Sequence, residues 1–326
     1  MSKWKDDRVL QVVNAFLLSK HTGSISKTYD QIATEMVGLF PRYTFTGEAV
    51  RAYWKILKLH LNLSSEKVPR ILLFDIETLP IQCYSWRLGK QVIYHTQLIK
   101  DWCILSWAAK WLNDSDYYSE ILTSQQAVAR NDKPILKGIW DLLEEADIVI
   151  GHNSFRFDHR MLNARFLLHQ MKPTTPFTII DTLKQSRQIA GFTSHKLDYL
   201  GLFLKNKTKI ETDFKLWIAC DKGNQEALVK MLKYNIHDVS LLEEIYYELR
   251  PWMKSHPNTG IYVESEESVC AVCCASTDLL EWKGTYVTMV GKYASYRCKG
   301  CGAIGRSRVS TLDKDKKKVL TISMAK

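Results

Sequence analysis

The run VPRILLFDIETLP, residues 68–80, constrains this chain more than any other segment. A nearly continuous apolar stretch ended by proline reads as a strand buried on both faces. Yet it carries Asp75 and Glu77. Side chains two apart on a strand point to the same face, so the two carboxylates stand side by side while Ile76 turns the other way into a core. Surface salt bridging explains the pair poorly, because an apolar strand is a costly place for unpaired acids. Two adjacent carboxylates also repel unless a cation lies between them. Hard oxygen ligands suit Mg²⁺ or Mn²⁺.

Two further acids lie in informative places. Asp158 ends the segment GHNSFRFD, after a Gly-His-Asn turn at the close of the apolar run ADIVIGHN. Ligand sites in open α/β sheets collect near strand ends. Asp238 lies in YNIHDV within a helical stretch, and Tyr234 precedes it by one turn on the same face. Four acids in this order can gather into one site for two divalent ions. Such ions, about 3.5–4 Å apart, clamp both the attacking and the leaving oxygen of a phosphodiester.

The rest of the chain supplies an α/β frame. Helical spacing marks residues 6–20, a short helix opening at Ser26 or Lys27 and stopped by Pro41, and a third helix after Thr46 as N-cap. These three form a candidate helix-turn-helix, with Arg51, Lys55 and Lys58 outward and Trp54 and Leu57 inward. After the linker 62–69, strands are expected at 71–79, VIYH (92–95), ILSWAAKWL (104–112), DYYSEIL (116–122), ADIVIGHN and the start of TTPFTIIDTLK. Helices are expected at 135–146, 155–169 and 225–249, the last closed by Pro251. Asp181, before Thr182, reads as a helix cap. Trp102, Trp107 and Trp111 read as core.

Net charge divides unevenly. Residues 1–70 hold 11 Lys/Arg against 6 Asp/Glu, residues 71–269 hold 23 against 25, and residues 270–326 hold 11 against 4. The acids thus sit in a near-neutral middle between basic ends, which suits a catalytic core flanked by modules that grip a polyanion. The opening MSKWKDDRVL lacks an apolar signal region, and no run approaches transmembrane length, so neither secretion nor a membrane partner is expected.

FDIET, then Asn153-SFR-Phe157-Asp158, then Tyr234-NIH-Asp238 resembles the three ordered motifs of the DEDD superfamily of 3′–5′ exonucleases, the DnaQ-like group on the RNase H-like fold. The third motif has the Tyr-x-x-x-Asp form of the DEDDy branch. The DEDDh form needs a histidine five residues before the last Asp, and that position is Lys233. The resemblance spans about residues 68–253 and implies the site roles. Asp75, Glu77 and Asp238 would bind one Mg²⁺ or Mn²⁺. Asp75 would bridge to a second, which Asp158 would reach directly or through water. Tyr234 would orient the attacking water. Leu79 would wedge against the last base, with core packing as its competitor. Asn153 and Phe157 would contact the terminal nucleotide, and a turn role competes for Asn153. His152 and His237 read as structural.

Cys270-x2-Cys273 and Cys298-x2-Cys301 form two knuckles able to wrap one structural Zn²⁺ through four thiolates. The second, CKGCGAIGR, resembles a zinc ribbon. Cys274 competes with Cys273 as ligand. Lys283, Lys292, Tyr293, Tyr296, Arg297, Lys299, Arg306 and Arg308 mix cations and aromatics as strand-holding surfaces do. Cys83, Cys103 and Cys220 read as buried free thiols, and cysteine usage points to a reducing compartment, cytoplasmic or nucleoid-associated.

The expected architecture is therefore a helical domain at 1–66, an RNase H-like mixed sheet flanked by helices at 67–254, a linker and small β zinc ribbon at 255–312, and a basic tail at 313–326, mobile in its charged part. The expected activity is metal-dependent removal of nucleoside 5′-monophosphates from a DNA 3′ end, with a replication or repair protein as a candidate partner. An exoribonuclease and a DNA-binding regulator with an inactive nuclease fold are the alternatives.

Overall fold

The computed structural model describes residues 4, 6–21, 27–60, 68–207, 210 and 212–321. The chain divides into two compact units, Met1–Lys67 and Val68–Lys326.

The first unit packs α1 (Asp7–His21), α2 (Tyr29–Leu39) and α3 (Gly47–His60). Val9, Val13 and Leu17 recur every four residues and are buried with Ile32, Met36, Val50 and Trp54. Thr28 and Gln31 form a reciprocal capping box, so α2 starts just after the expected Ser26 or Lys27. Thr46 Oγ1 accepts the Ala49 N–H at 3.2 Å and caps α3. A Cβ at Gly47 would fall 1.9 Å from Asp30 Oδ1, which keeps that position a glycine. Arg51, expected to face outward, lies over the Tyr29 ring at 5.1 Å. The side chains of Lys55, Leu57 and Lys58 lie outside those described.

The second unit is built on a five-stranded mixed sheet of order β5-β4-β1-β6-β7. Its strands are β1 (Ile71–Leu79), β4 (Cys103–Trp111), β5 (Tyr117–Ile121), β6 (Ile148–Gly151) and β7 (Thr178–Asp181). β1 is central, antiparallel to β4 and parallel to β6. A two-stranded ladder, β2 (Gln82–Cys83) with β3 (Leu98–Lys100), leaves the end of β1. Leu72, Phe74 and Ile76 face a core shared with α5 (Lys133–Glu145) and α6 (Asp158–Leu168), while Ile71 and Leu73 face one shared with α8 (Leu197–Lys205). Helices α4 (Ser124–Ala129), α7 (Thr182–Ile189), α9 (Phe214–Asp221) and α10 (Gln225–Leu249) complete the flanks.

The long helix α10 serves both cores. Leu228, Met231 and Tyr234 join the first and Val239, Leu242, Ile245 and Tyr246 the second. Buried polar Asn235 and Asp238 fall at the changeover. One core contact is ionic: fully buried Asp132 binds Arg165 at 2.6 and 2.9 Å, His169 at 2.8 Å and the Ile104 N–H at 2.9 Å. Trp107 and Trp111 are buried as expected. Cys103 and Cys220 are buried too, whereas Cys83 is only half-buried.

A three-stranded antiparallel sheet, β8 (Leu280–Thr288), β9 (Gly291–Cys298) and β10 (Ile304–Ser310), follows in the same unit. It joins the α/β part through the second knuckle, where the Cβ position of Gly302 meets Pro251 at 3.6 Å, and through the connecting segment, where the Tyr246 hydroxyl bonds His256 Nε2 at 2.8 Å. The final helix, α11 (Lys314–Val319), is capped by Asp313, so the charged tail expected to be mobile has a helical turn. VIYH is no strand: Val92 and Tyr94 are exposed, and β propensity without a sheet neighbour does not make one. Among the described residues no helix is long and apolar enough to cross a membrane.

Candidate functional site

Strand alternation brings Asp75 and Glu77 to one face of β1, and α10 delivers Asp238 to the same place. Ligand oxygens of Asp75, Glu77 and Asp238 all lie within 4.8 Å of one another. Oxygens around one Mg²⁺ at 2.0–2.1 Å stand roughly 3 to 4.2 Å apart, so a small contraction of this group would hold the ion. Asp75 and Glu77 are half-buried and Asp238 is buried, which leaves the group open on one side. Next to it the sheet is irregular. Glu77 pairs with Ser106 and Thr78 with Ile104, leaving Leu105 as the extra residue of β4. Bulges of this kind re-aim side chains beside functional sites.

Two residues that no sequence motif singles out fix Asp75. Asn235 Nδ2 donates to Asp75 Oδ2 at 2.8 Å, and Asn235 Oδ1 accepts from the Ser106 hydroxyl at 3.0 Å. Both Asn235 and Ser106 are completely buried. Asn235 lies three residues before Asp238 on its helix face, but that spacing marks no amide as a ligand's partner without Ser106 beside it.

Asp158 opens α6 and is buried, but it stands outside the three-acid group. Its Oδ1 accepts the N–H of Ile76, the residue between Asp75 and Glu77, at 3.2 Å. It therefore lies against the same stretch of β1 as the two carboxylates. Tyr234 lies one turn before Asp238, and its ring meets that of Trp217 edge-on at 6.3 Å. Trp217, Phe214, Asp213, Thr212, Thr78 and Pro80 line a cleft of about 390 Å³ beside Glu77.

The three expected nucleotide contacts fare differently. Leu79 is wholly buried, so core packing claims it and it cannot wedge against a base. Asn153 takes a left-handed turn conformation at φ 67°, with its N–H on Asp181 Oδ1 at 3.0 Å. Asp181 also caps α7 through the Leu183 and Lys184 N–H groups. A Cβ at Gly151 would fall 2.3 Å from Ser154 Cβ, so the turn closes only with glycine there. This turn delays α6 to Asp158, three residues later than the expected start at 155. Phe157 stays exposed beside Asp158. His152 Nδ1 bonds the Thr182 hydroxyl at 2.9 Å, a turn-fixing contact.

The cysteine group is of another kind. Cys270, Cys273, Cys298 and Cys301 gather with their sulfurs within 4.8 Å. Cys270–Cys301 and Cys273–Cys298 sulfurs lie 3.7 Å apart. Four sulfurs on a tetrahedron with 2.3 Å zinc bonds stand about 3.8 Å apart, close to the spacing these two pairs already have. Hydrogen bonds from Cys273 and then Cys301 push the Cys270 thiol down, favouring a thiolate. Cys274 lies outside the set, held at φ 59° with its N–H on the Cys270 carbonyl at 3.0 Å. The lone thiol of Cys103 is instead pushed up to about 12 by burial and is inert.

No protein-family model and no curated protein sequence matches this chain.

Proposed function

We propose that the Val68–Lys326 unit is an RNase H-like, DEDDy-type 3′–5′ exonuclease acting on nucleic acid. The observation that carries the reading is the meeting of Asp75, Glu77 and Asp238 within 4.8 Å, from segments more than 150 residues apart in the chain. A mixed sheet flanked by helices, with Asp75 and Glu77 on its central strand, supports the same reading. So does the helix register. Tyr234 is buried one turn before Asp238, while Lys233, which occupies the histidine position of the DEDDh form, is exposed.

When bound, two divalent ions would make a water nucleophilic near neutral pH and stabilise the leaving oxygen. Asp75, Glu77 and Asp238 would hold them, with Asp158 against β1 supporting the second. Asn235, braced by Ser106, keeps the Asp75 carboxylate in one orientation. Tyr234 orients the attacking water through its hydroxyl, and Trp217 fixes the ring. The cleft of Thr78, Phe214 and Trp217 receives the terminal nucleoside against an apolar wall. Zn²⁺ on the four cysteines would be structural, since a closed thiolate set leaves no coordination position for a substrate.

The test is a time course on single-stranded, duplex and 3′-overhang DNA and RNA, with Mg²⁺ or with EDTA. Nucleoside 5′-monophosphates released only with the metal are expected. A chain inert on every substrate would overturn the proposal.

A further inference from the structure

The segment joining β2 to β3 has no role in the site just described, yet it is the most exposed apolar feature of the second unit. Trp86 is 98% exposed and Leu88 100%, and Tyr84 and Tyr94 are also mostly in water. A tryptophan carries roughly 150–250 Å² of surface that is ordinarily buried, so exposure this complete marks an interaction site.

The segment is built to hold its place. Gln82 pairs with Lys100 and Cys83 with Leu98 at its root. Tyr84 N–H donates to the Gln97 carbonyl at 2.9 Å, and Gln97 Nε2 returns to the Tyr84 carbonyl at 3.1 Å. Arg130 clamps the two chain segments that lead into the ladder, donating to the carbonyls of Pro80 at 2.6 Å and Asp101 at 2.7 Å. Its guanidinium is anchored in turn on Asp221 at 2.6 Å. The projection is thus fixed to the strand end that carries Glu77, and Tyr84 begins no more than about 25 Å along the chain from that carboxylate.

Its charge selects the occupant. Residues 78–100 hold Arg87, Lys90 and Lys100 and no acidic residue. Exposed aromatics interleaved with cations are what a single nucleic-acid strand requires, the rings stacking on bases and the cations tracking phosphates. We infer that the β2–β3 projection is a stacking finger that grips the unpaired strand whose 3′ end lies at the acids, with Trp86 and Tyr84 as its base platforms. This rests on the exonuclease reading for the position of the 3′ end, but the finger's affinity for a strand is measurable without turnover.

The experiment uses the full zinc-loaded chain in two assays. Fluorescence anisotropy without divalent metal measures Kd for labelled dT20 and rU20, the two arms separating DNA from RNA. Hydrolysis of thymidine 5′-p-nitrophenyl phosphate with Mn²⁺ reports on the acids, because a mononucleotide offers one base and no run of phosphates for the finger to grip. Tyr84→Ala with Trp86→Ala is expected to raise Kd by about five- to a hundredfold for each lost stack and to leave small-substrate hydrolysis unchanged. Trp86→Phe should restore most of the affinity. Arg87→Glu with Lys90→Glu, which removes no ring, should also weaken binding and flatten its salt dependence. Unchanged Kd in both double variants would overturn the inference. Unchanged Kd with loss of a wild-type dimer on sedimentation would overturn it in favour of a second copy of the chain. A wild type that binds the strand through these residues but hydrolyses nothing leaves the finger standing and removes the exonuclease reading.

Discussion

The carboxylate group and the cysteine group are both suited to metal, but they are assembled by different agents. The acids hang on a strand and a helix that two large apolar clusters hold in place. The cysteines hang on two knuckles whose small cluster of six buried residues includes Cys270, Cys298 and Cys301 themselves. Without an ion, the scaffold of the first site is expected to persist on its two apolar clusters. The second is expected to lose much of its core. On this contrast, folding alone is expected to place the acids, whereas the cysteine knuckles are expected to depend on a bound metal.

The largest expected effect tests that contrast. Zinc stripping, or Cys298→Ala, should strip hydrogen-exchange protection from β8, β9 and β10 while β1 and β4 keep theirs. Structural zinc in small domains binds with roughly 10–16 kcal/mol of apparent free energy. Protected β9 amides in zinc-free protein would break the comparison.

Next comes the ionic brace behind the acids. Asp132→Ala leaves Arg165 buried without its carboxylate, and losing one partner of such a pair costs about 3–5 kcal/mol. Urea unfolding of the zinc-loaded chain should show this loss, and a drop under about 1 kcal/mol, the scale of an exposed pair, would mean the acid-bearing sheet does not depend on the brace.

Asn235→Ala sharpens the comparison at one carboxylate. Residues that orient a metal ligand typically account for about 10- to 100-fold in metal affinity. Mn²⁺ titration should show a loss in that range with zinc content unchanged, and Asn235→Asp should not rescue it, because Asp lacks the donor that Asp75 accepts.

The smallest effect is a pH dependence confined to the sheet. Burial pushes the Glu120 carboxyl up to about 7 from an ordinary 4.5, with hydrogen bonding to Trp107 opposing. The folded chain therefore holds this proton more tightly than the unfolded chain. Its favourable contribution is complete below about pH 4.5 and is lost as pH rises through 7. Glu120→Gln should melt like wild type near pH 4 and higher than wild type at pH 8. Parallel melting profiles would contradict this.

What the sequence made legible follows the same division. Both CxxC knuckles were legible because their geometry is local, but spacing only favoured Cys273 over Cys274, and the packing around Cys270 decides it. Asp75 and Glu77 were legible because acids in an apolar run violate local pattern, and Asp238 because it follows Tyr234 by one helical turn in the resembling motif. Asn235 was not, since a buried amide makes sense only beside Ser106, a partner 129 positions away in the chain. Leu79 misled because its burial depends on the sheet's neighbours. The short helices α8 and α9 went unassigned, as eight or nine residues give too little periodicity to register. VIYH failed for the opposite reason: its β propensity was plain, but the chain uses it in an exposed loop.

Hydrolysis at the three-acid group is tested most directly by digesting a 5′-labelled single-stranded oligonucleotide in Mg²⁺ with wild type and with Asp75→Ala plus Glu77→Ala. A ladder shortening from the 3′ end is expected in wild type, and none in the variant at unchanged zinc content and melting temperature. A ladder of equal rate in the variant, or an intact oligonucleotide with wild type, would contradict the exonuclease assignment.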